Sequence, residues 1–498
     1  MFTSTYYVSV LIVTIGASSQ FYSYGIVNQE QTLVISWINQ TYTRRGWHFS
    51  NEHLDTFWSF VVSSVPVGAI PGNIKTLLGA LLTRTLAENF GRRNSLVYNG
   101  IFNVLAALFS FFSEYFASPE LLIAGRFILG VNIGVASSLA PMYLTEITPV
   151  DFRGSVGTLH QVAVAFSEFL SLLVGLPELL GRQWSLAFSL PGLFALFLCV
   201  TLPFGVESPK YLLIRCGKTK KAKEALLRLM NKKQTNQMFK ELLNEAQNSR
   251  TKSATYSELF RRQDLRLSLI ISLGMMFAQQ FSGCGAVFAY STDMFLNAQL
   301  KATEAKLSTL TIGFVYFLSA SMAPFIIRMV SRKLLAVFQL VSVALALTAL
   351  SIFTWLQNNR HFEWAGYGAI GSLFFYMTAY GVGSSVPWII TSEIFDTRLR
   401  PVAVSVAVCT AWLLCFIVST LYLPFQHLVG VSFSYLPFIL MSTLFAILMY
   451  RLLPGKSIKG DLLKIRCLDS TVITSGTTVI KRSKRTRNDS WVSNISVL

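Results

Sequence analysis

Twelve apolar runs, each long enough to cross the roughly 30 Å hydrocarbon layer of a bilayer as a helix, dominate this chain. They lie at 6–27, 54–83, 95–114, 119–143, 155–180, 184–205, 266–291, 307–328, 333–354, 366–391, 401–423 and 430–452. The first run is too long, and too poor in flanking positive charge and cleavage signals, to be a removable signal peptide, so it counts as the first span. Only 13% of the residues are charged, against roughly 25% in an ordinary globular chain. The predicted fold class is an all-α membrane protein with twelve transmembrane helices.

A net charge of +18 invites a nucleic-acid reading, but its placement decides against one. Roughly fourteen Lys and Arg fall between 206 and 265 and about ten after 450, whereas the loops on the other side share about six. The positive-inside rule therefore places both termini and the central segment in the cytoplasm. The chain divides into a six-helix bundle (1–205), a basic cytoplasmic linker expected to be helical (206–265), a second six-helix bundle (266–452) and a cytoplasmic tail (453–498).

An internal echo supports two halves. EITPVDFR (146–153) leaves the fourth span and EIFDTRLR (393–400) leaves the tenth, as parallel repeats about an axis along the membrane normal would place them. FGRRN (90–94) and VSRKL (330–334) are a weaker pair. The six cysteines show neither metal-ligand spacing nor a disulfide framework, and reduced thiols are expected. An N-glycosylation triplet begins at Asn39 in an expected external loop, 28–53; those at Asn488 and Asn494 fall in the cytoplasmic tail and are discounted.

The ordered set FGRRNS (90–95), GRFILG (125–130), PMYLTEITPVDFRG (141–154), GTLHQ (157–161), ESPKYLL (207–213), QQFSGCGAVFAYST (279–292) and PWIITSEIF (387–395) resembles the sugar-porter branch of the major facilitator superfamily, most closely the animal facilitative glucose transporters. The resemblance implies two bundles rocking about a midplane sugar site, in a multi-pass protein of the plasma membrane. Its expected partners are a small sugar and the lipid bilayer, with no nucleic acid and no cofactor or metal. Arg92, Arg93, Glu146, Arg153, Glu207, Arg332, Glu393 and Arg400 fall at cytoplasmic helix ends, where charge-assisted pairs between bundles would latch the inner side. Helix-end electrostatics alone is the alternative reading.

Gln161, Gln279, Gln280 and Trp388 match sugar-contacting positions of the family, with Tyr380 a further candidate. An amide offers two donors and an acceptor to sugar hydroxyls, and an indole offers an apolar plane with one donor. Without the resemblance, such a Gln serves equally well to bridge helices. His160 points roughly 100° away from Gln161, and a hydrogen bond to a neighbouring helix is its expected use.

Departures from the family pattern thin the polar lining, since Gly285, Tyr316 and Ala411 replace expected Asn residues. YGVGSSVPW (380–388) alters the span-ten break, although Gly381, Gly383 and Pro387 still loosen that helix, and LLPGKSIKG follows the last span in place of a PETKG-like signature. Residues 58–88 would extend about 45 Å as one helix, and the stretch at 71–78, with Lys75, is read as a break or as an error in gene prediction. Ser23 stands where proton-driven members carry an Asp that answers the span-four arginine, here Arg126.

Glu168 follows Gln161 by seven residues, so both share a helical face about 20° apart. A lipid-facing charge there would cost roughly 3 kcal/mol, which favours a protein- or water-facing carboxyl with either a structural or a transport role. Three functions follow: a hexose uniporter, a proton-coupled sugar or polyol symporter using Glu168 and Arg126, and a non-transporting sugar sensor signalling through the basic tail KRSKRTRN (481–488). An enzyme is excluded, because no nucleophile and base, phosphate loop or metal cluster accompanies the spans.

Overall fold

The structure, a computed structural model, describes residues 2–73, 86–149, 152–248, 256–362, 364–395 and 399–453. Lys75 with most of the 71–78 stretch, and the tail from 454 with Asn488, Asn494 and KRSKRTRN, lie outside the described residues. Those described are helical, with one isolated bridge between Phe2 and Met230.

The first helical run is α1 (Ser4–Ser18), a 3-10 turn (Ser19–Phe21) and α2 (Tyr22–Arg44). Ser19 Oγ donates to the Gly16 carbonyl at 3.1 Å, a back-bond of the kind that bends helices. The expected loop at 28–53 is corrected here, since α2 runs on to Arg44. Asn28, Gln29, Glu30 and Gln31 lower the hydropathy, yet all four are buried against protein and so cost the helix no contact with lipid. Asn39 is exposed on that helix, while Thr41 of the same triplet is buried.

The remaining helices of the first half are α3 (Asn51–Asn73), α4 (Arg92–Tyr115), α5 (Pro119–Glu146), α6 (Arg153–Val174), α7 (Trp184–Ser189) and α8 (Pro191–Thr201). Ser118 caps α5, accepting from Leu121 N at 3.3 Å, and Pro119 fills its first turn, where a missing N–H costs nothing. The linker holds α9 (Thr219–Leu229), α10 (Lys232–Asn248) and α11 (Tyr256–Arg261). Ala222, Leu226 and Leu229 of α9 are buried in one cluster with Tyr6 and Leu144, so the linker docks on the first half.

The second half comprises α12 (Arg266–Gln280), α13 (Cys284–Asn297), α14 (Ala302–Met329), α15 (Arg332–Arg360), α16 (Trp364–Gly383), α17 (Val386–Ile394), α18 (Arg400–Val429) and α19 (Leu436–Leu452). Two of its spans are broken. Gly283, at φ +83°, turns α12 into α13 in a backbone region that side chains other than glycine's rarely enter. Ser384 and Ser385 separate α16 from α17, with Pro387 in the first turn of α17.

Ten helical segments among the described residues are long and apolar enough to cross a membrane, and Leu159–Val174 is apolar but shorter. Outward faces carry exposed Leu105, Leu108, Phe325 and Leu345, as lipid contact requires of an integral multi-pass protein. The halves meet where α3 packs on α18, α6 on α14 and α2 on α13. The five described cysteines are free.

Candidate functional site

The seam between the halves gathers most of the polar side chains expected to matter. From α6, Gln161 Nε2 donates to Tyr316 Oη of α14 at 3.4 Å. From α12, Gln279 is buried and its Nε2 donates to Tyr380 Oη at 3.3 Å and to the Ser384 carbonyl at 3.2 Å, which ties it to the break between α16 and α17. Its Oε1 is buried with no partner. Gln280 Oε1 accepts from Cys284 Sγ at 3.6 Å across the Gly283 turn. Trp388 packs instead against Met276, Ala407 and Ala411, so Ala411 supports an indole.

Aromatic rings occupy much of the seam. Phe288 lies 5.0 Å from Tyr316 and 5.7 Å from Tyr380, centroid to centroid, and Tyr380 lies 6.0 Å from both Tyr316 and Tyr376. At Gly285 an added Cβ would meet only ordinary contacts, 3.5 Å from Ser419 Oγ and 3.7 Å from Cys415 Sγ. A residual cavity of about 10 Å³, lined by Gly25, Asn28, Glu168, Phe288, Ser291 and Tyr316 among others, holds roughly one water. Glu168 is buried, and its Oε2 has no hydrogen-bond partner.

His160 does not join this group. Its Nδ1 lies 2.9 Å from Ser18 Oγ on α1. Arg126 is buried and forms no ion pair among the described residues: its Nε donates to the Val61 carbonyl at 2.7 Å, its Nη1 has no hydrogen-bond partner, and its guanidinium lies 5.7 Å from the centre of the Phe188 ring. Ser23 is buried with its hydroxyl unpartnered.

The expected latch between bundles takes another form. Arg92 Nε meets Glu146 Oε2 at 2.9 Å and its Nη2 donates to Glu146 Oε1 at 3.0 Å, while Ser208 Oγ also donates to Glu146. Glu207 Oε1 accepts from the backbone N–H groups of Arg92 and Arg93 at 2.9 and 3.0 Å, capping α4. Arg93 Nη1 donates to the carbonyls of Pro203 and Gly205, and Arg153 Nε to those of Thr145 and Thr148. Arg332 Nη2 pairs with Glu393 Oε1 at 3.1 Å, and Arg400 opens α18. Each of these ion pairs lies within one half. Helices α4 and α5 are packed neighbours, so their charged ends meet without the other half.

Apart from the Gln161–Tyr316 bond in the seam, the bonds between described residues that cross the halves gather at the opposite end. Asn28 Nδ2 donates to Ser291 Oγ at 2.6 Å and to the Phe288 carbonyl at 2.9 Å, and its Oδ1 accepts from Thr292 N at 2.9 Å. Gln29 Nε2 donates to the Lys306 carbonyl at 3.2 Å, and Asp55 Oδ2 lies 3.0 Å from His427 Nε2. Asn28 and Glu30 escaped the sequence reading because they stand in the stretch taken for a loop. The available signal was the i, i+3 spacing of Asn28 from Gly25, which continues one helical face.

The sugar (and other) transporter family matches residues 9–460 of the chain. The facilitated glucose transporter member 3 of solute carrier family 2 from Ovis aries is 30% identical over 419 residues, 83% of each chain. The facilitated glucose transporter homolog of Caenorhabditis elegans is 30% identical over 444 residues, 87% of this chain and 84% of that one. Among solved structures, the xylose transporter XylE from E. coli, partially occluded and inward open, superposes with a TM-score of 0.73 at 22% identity, covering 90% of this chain and 100% of the other. A double-Trp variant of XylE gives 0.75 at 23% identity, covering 94% and 99%. At these identities the structural likeness speaks for the fold alone.

Proposed function

This chain belongs to the sugar transporter family, and we propose that it equilibrates a hexose across the plasma membrane by alternating access. It is not an enzyme. In this reading the chain crosses the bilayer twelve times, α3 and α6 completing the ten longer apolar segments, with both termini in the cytoplasm. Gln161, Gln279, Gln280, Tyr380 and Trp388 line the path of the sugar.

One observation carries the proposal: among the described residues, the bonds between the halves other than Gln161–Tyr316 gather at one end of the seam, while the charged pairs Arg92–Glu146 and Arg332–Glu393 at the other end stay within each half. Two bodies joined at one end, with broken spans α12–α13 and α16–α17 beside the seam, can rock so that the joined end opens. On the proposed topology the joined end is extracellular and the conformation faces inward. Reconstituted in liposomes, the protein should give saturable, stereoselective hexose uptake, D-glucose being taken up and L-glucose refused. Background flux from correctly inserted protein would sink the reading.

Proton coupling is a second reading, favoured by the buried, unpartnered Oε2 of Glu168. It requires hexose addition to move protons with the sugar, and this movement should vanish in Glu168→Gln. Sugar flux that is electrically silent and insensitive to a pH gradient leaves simple equilibration in place.

A further inference from the structure

Glu168 poses a chemical problem that a neutral hexose does not solve. Its carboxyl is buried in the seam, its Oε2 lacks any hydrogen-bond partner, and no ion pair among the described residues includes it. An ionised carboxylate in such a place demands a cation, because desolvation without a partner costs several kcal/mol. Arg126, the one buried arginine among the described residues, forms no ion pair with Glu168; its Nε donates to the Val61 carbonyl and its guanidinium lies over the Phe188 ring.

The surroundings of Glu168 also suit a cation. Phe288 and Tyr316 line the same cavity, and Tyr380 packs against both rings. Ring faces attract ammonium groups, the more so where water is excluded. Meanwhile Gly285 and Ala411 offer no side-chain hydrogen bond, and Tyr316 is engaged by Gln161. The cavity thus carries one acid, Glu168, beside the rings of Phe288 and Tyr316, and its neutral polar groups Asn28 and Ser291 are bonded to each other. For hydroxyls there remain the unpartnered Oε1 of Gln279 and the second N–H of Gln161 Nε2.

We propose that Glu168 makes this site selective for an aminohexose, a sugar whose protonated amine pairs with the carboxylate while its hydroxyls engage Gln161 and Gln279. The proposal rests on the transport reading above and names the substrate class of that same site. The ammonium would form a charge-assisted hydrogen bond with Glu168 and face Phe288 and Tyr316. Loss of the cation by N-acetylation would leave the carboxylate unpaired, so the acetylated sugar should be refused.

The test compares uptake of D-glucosamine, N-acetyl-D-glucosamine and D-glucose by the full chain in proteoliposomes at about pH 6, below the ordinary range of an α-amino group. Glucosamine should be preferred over glucose by about tenfold and N-acetylglucosamine should compete poorly. In Glu168→Gln the glucosamine-to-glucose ratio should fall about tenfold, and Glu168→Asp, which keeps the charge, should retain part of the preference. Glucose uptake with no glucosamine preference, or a ratio unchanged in Glu168→Gln, overturns the aminohexose proposal and leaves hexose transport standing. Background uptake of all three sugars by inserted wild-type protein overturns both. A proton-coupling carboxyl would slow glucosamine and glucose together in Glu168→Gln, which also counts against the proposal.

Discussion

A single methyl group at Gly130 should deplete the folded protein. Gly130 on α5 faces Gly68 on α3, and a Cβ built on Gly130 would overlap the Val65 carbonyl oxygen and stand 2.9 Å from the Gly68 Cα. Both obstacles are backbone, so no rotamer change relieves them; the two helices must separate. Close approach of this kind is what small residues provide between membrane helices, where lipid is as apolar as the side chains and packing supplies much of the attraction. Overpacking a core costs about 1–3 kcal/mol when side chains can adjust, and a backbone clash lies at or above that range. Gly130→Ala should therefore lower the thermal midpoint in detergent and shift the size-exclusion profile toward aggregate, with Gly130→Val worse. Gly371, where an added Cβ meets nothing within 4 Å, is the control: Gly371→Ala should be neutral or should stabilise by about 0.5–1 kcal/mol. Equal behaviour of Gly130→Ala and Gly371→Ala would refute the helix contact.

The two charged pairs at the helix ends, Arg92–Glu146 and Arg332–Glu393, look like copies of one device, yet they should respond unequally to mutation. Arg92 and Glu146 are 15% and 10% exposed as side chains, and Glu146 also accepts from Ser208. Arg332 and Glu393 are 36% and 38% exposed. Removing one partner of a mostly buried pair leaves an uncompensated charge and costs about 3–5 kcal/mol, whereas a solvent-exposed pair is worth about 0–1 kcal/mol. Glu146→Ala should accordingly lower the melting temperature in detergent several times more than Glu393→Ala does, and adding salt should narrow the gap little, because buried pairs are weakly screened. Equal losses in the two variants would show that the repeats are energetically equivalent.

The latch residues also show how far a sequence carries. Arg92, Glu146, Arg332 and Glu393 were legible as charged helix ends, because a charge within an apolar span is expensive and marks a boundary. Which carboxylate each arginine meets was not legible. Charge and spacing suit a pair between halves as well as one within a half, and only packed neighbours such as α4 and α5 decide it. The site divides in the same way. Gln161, Gln279 and Gln280 stood out as amides in apolar runs, but the rings of Phe288, Tyr316 and Tyr380 that enclose the seam read in sequence as ordinary span residues. The extension of α2 past residue 27 was hidden for a related reason. Hydropathy registers how polar a side chain is and not what faces it, so Asn28, Gln29 and Glu30 resembled the end of a span.

By itself the sequence determined the class of protein, the approximate place of its spans and its family, because transfer of each run into hydrocarbon depends on local composition and a family signature is a matter of residue order. Tertiary structure alone decided that Asn28 bonds to Ser291 across the seam, that Gly130 touches Gly68, and that Glu168 stands beside Phe288 and Tyr316 with its Oε2 unpartnered. These are relations between groups far apart in the chain. Their energies depend on distance and on the exclusion of water, and both arise only when the helices pack.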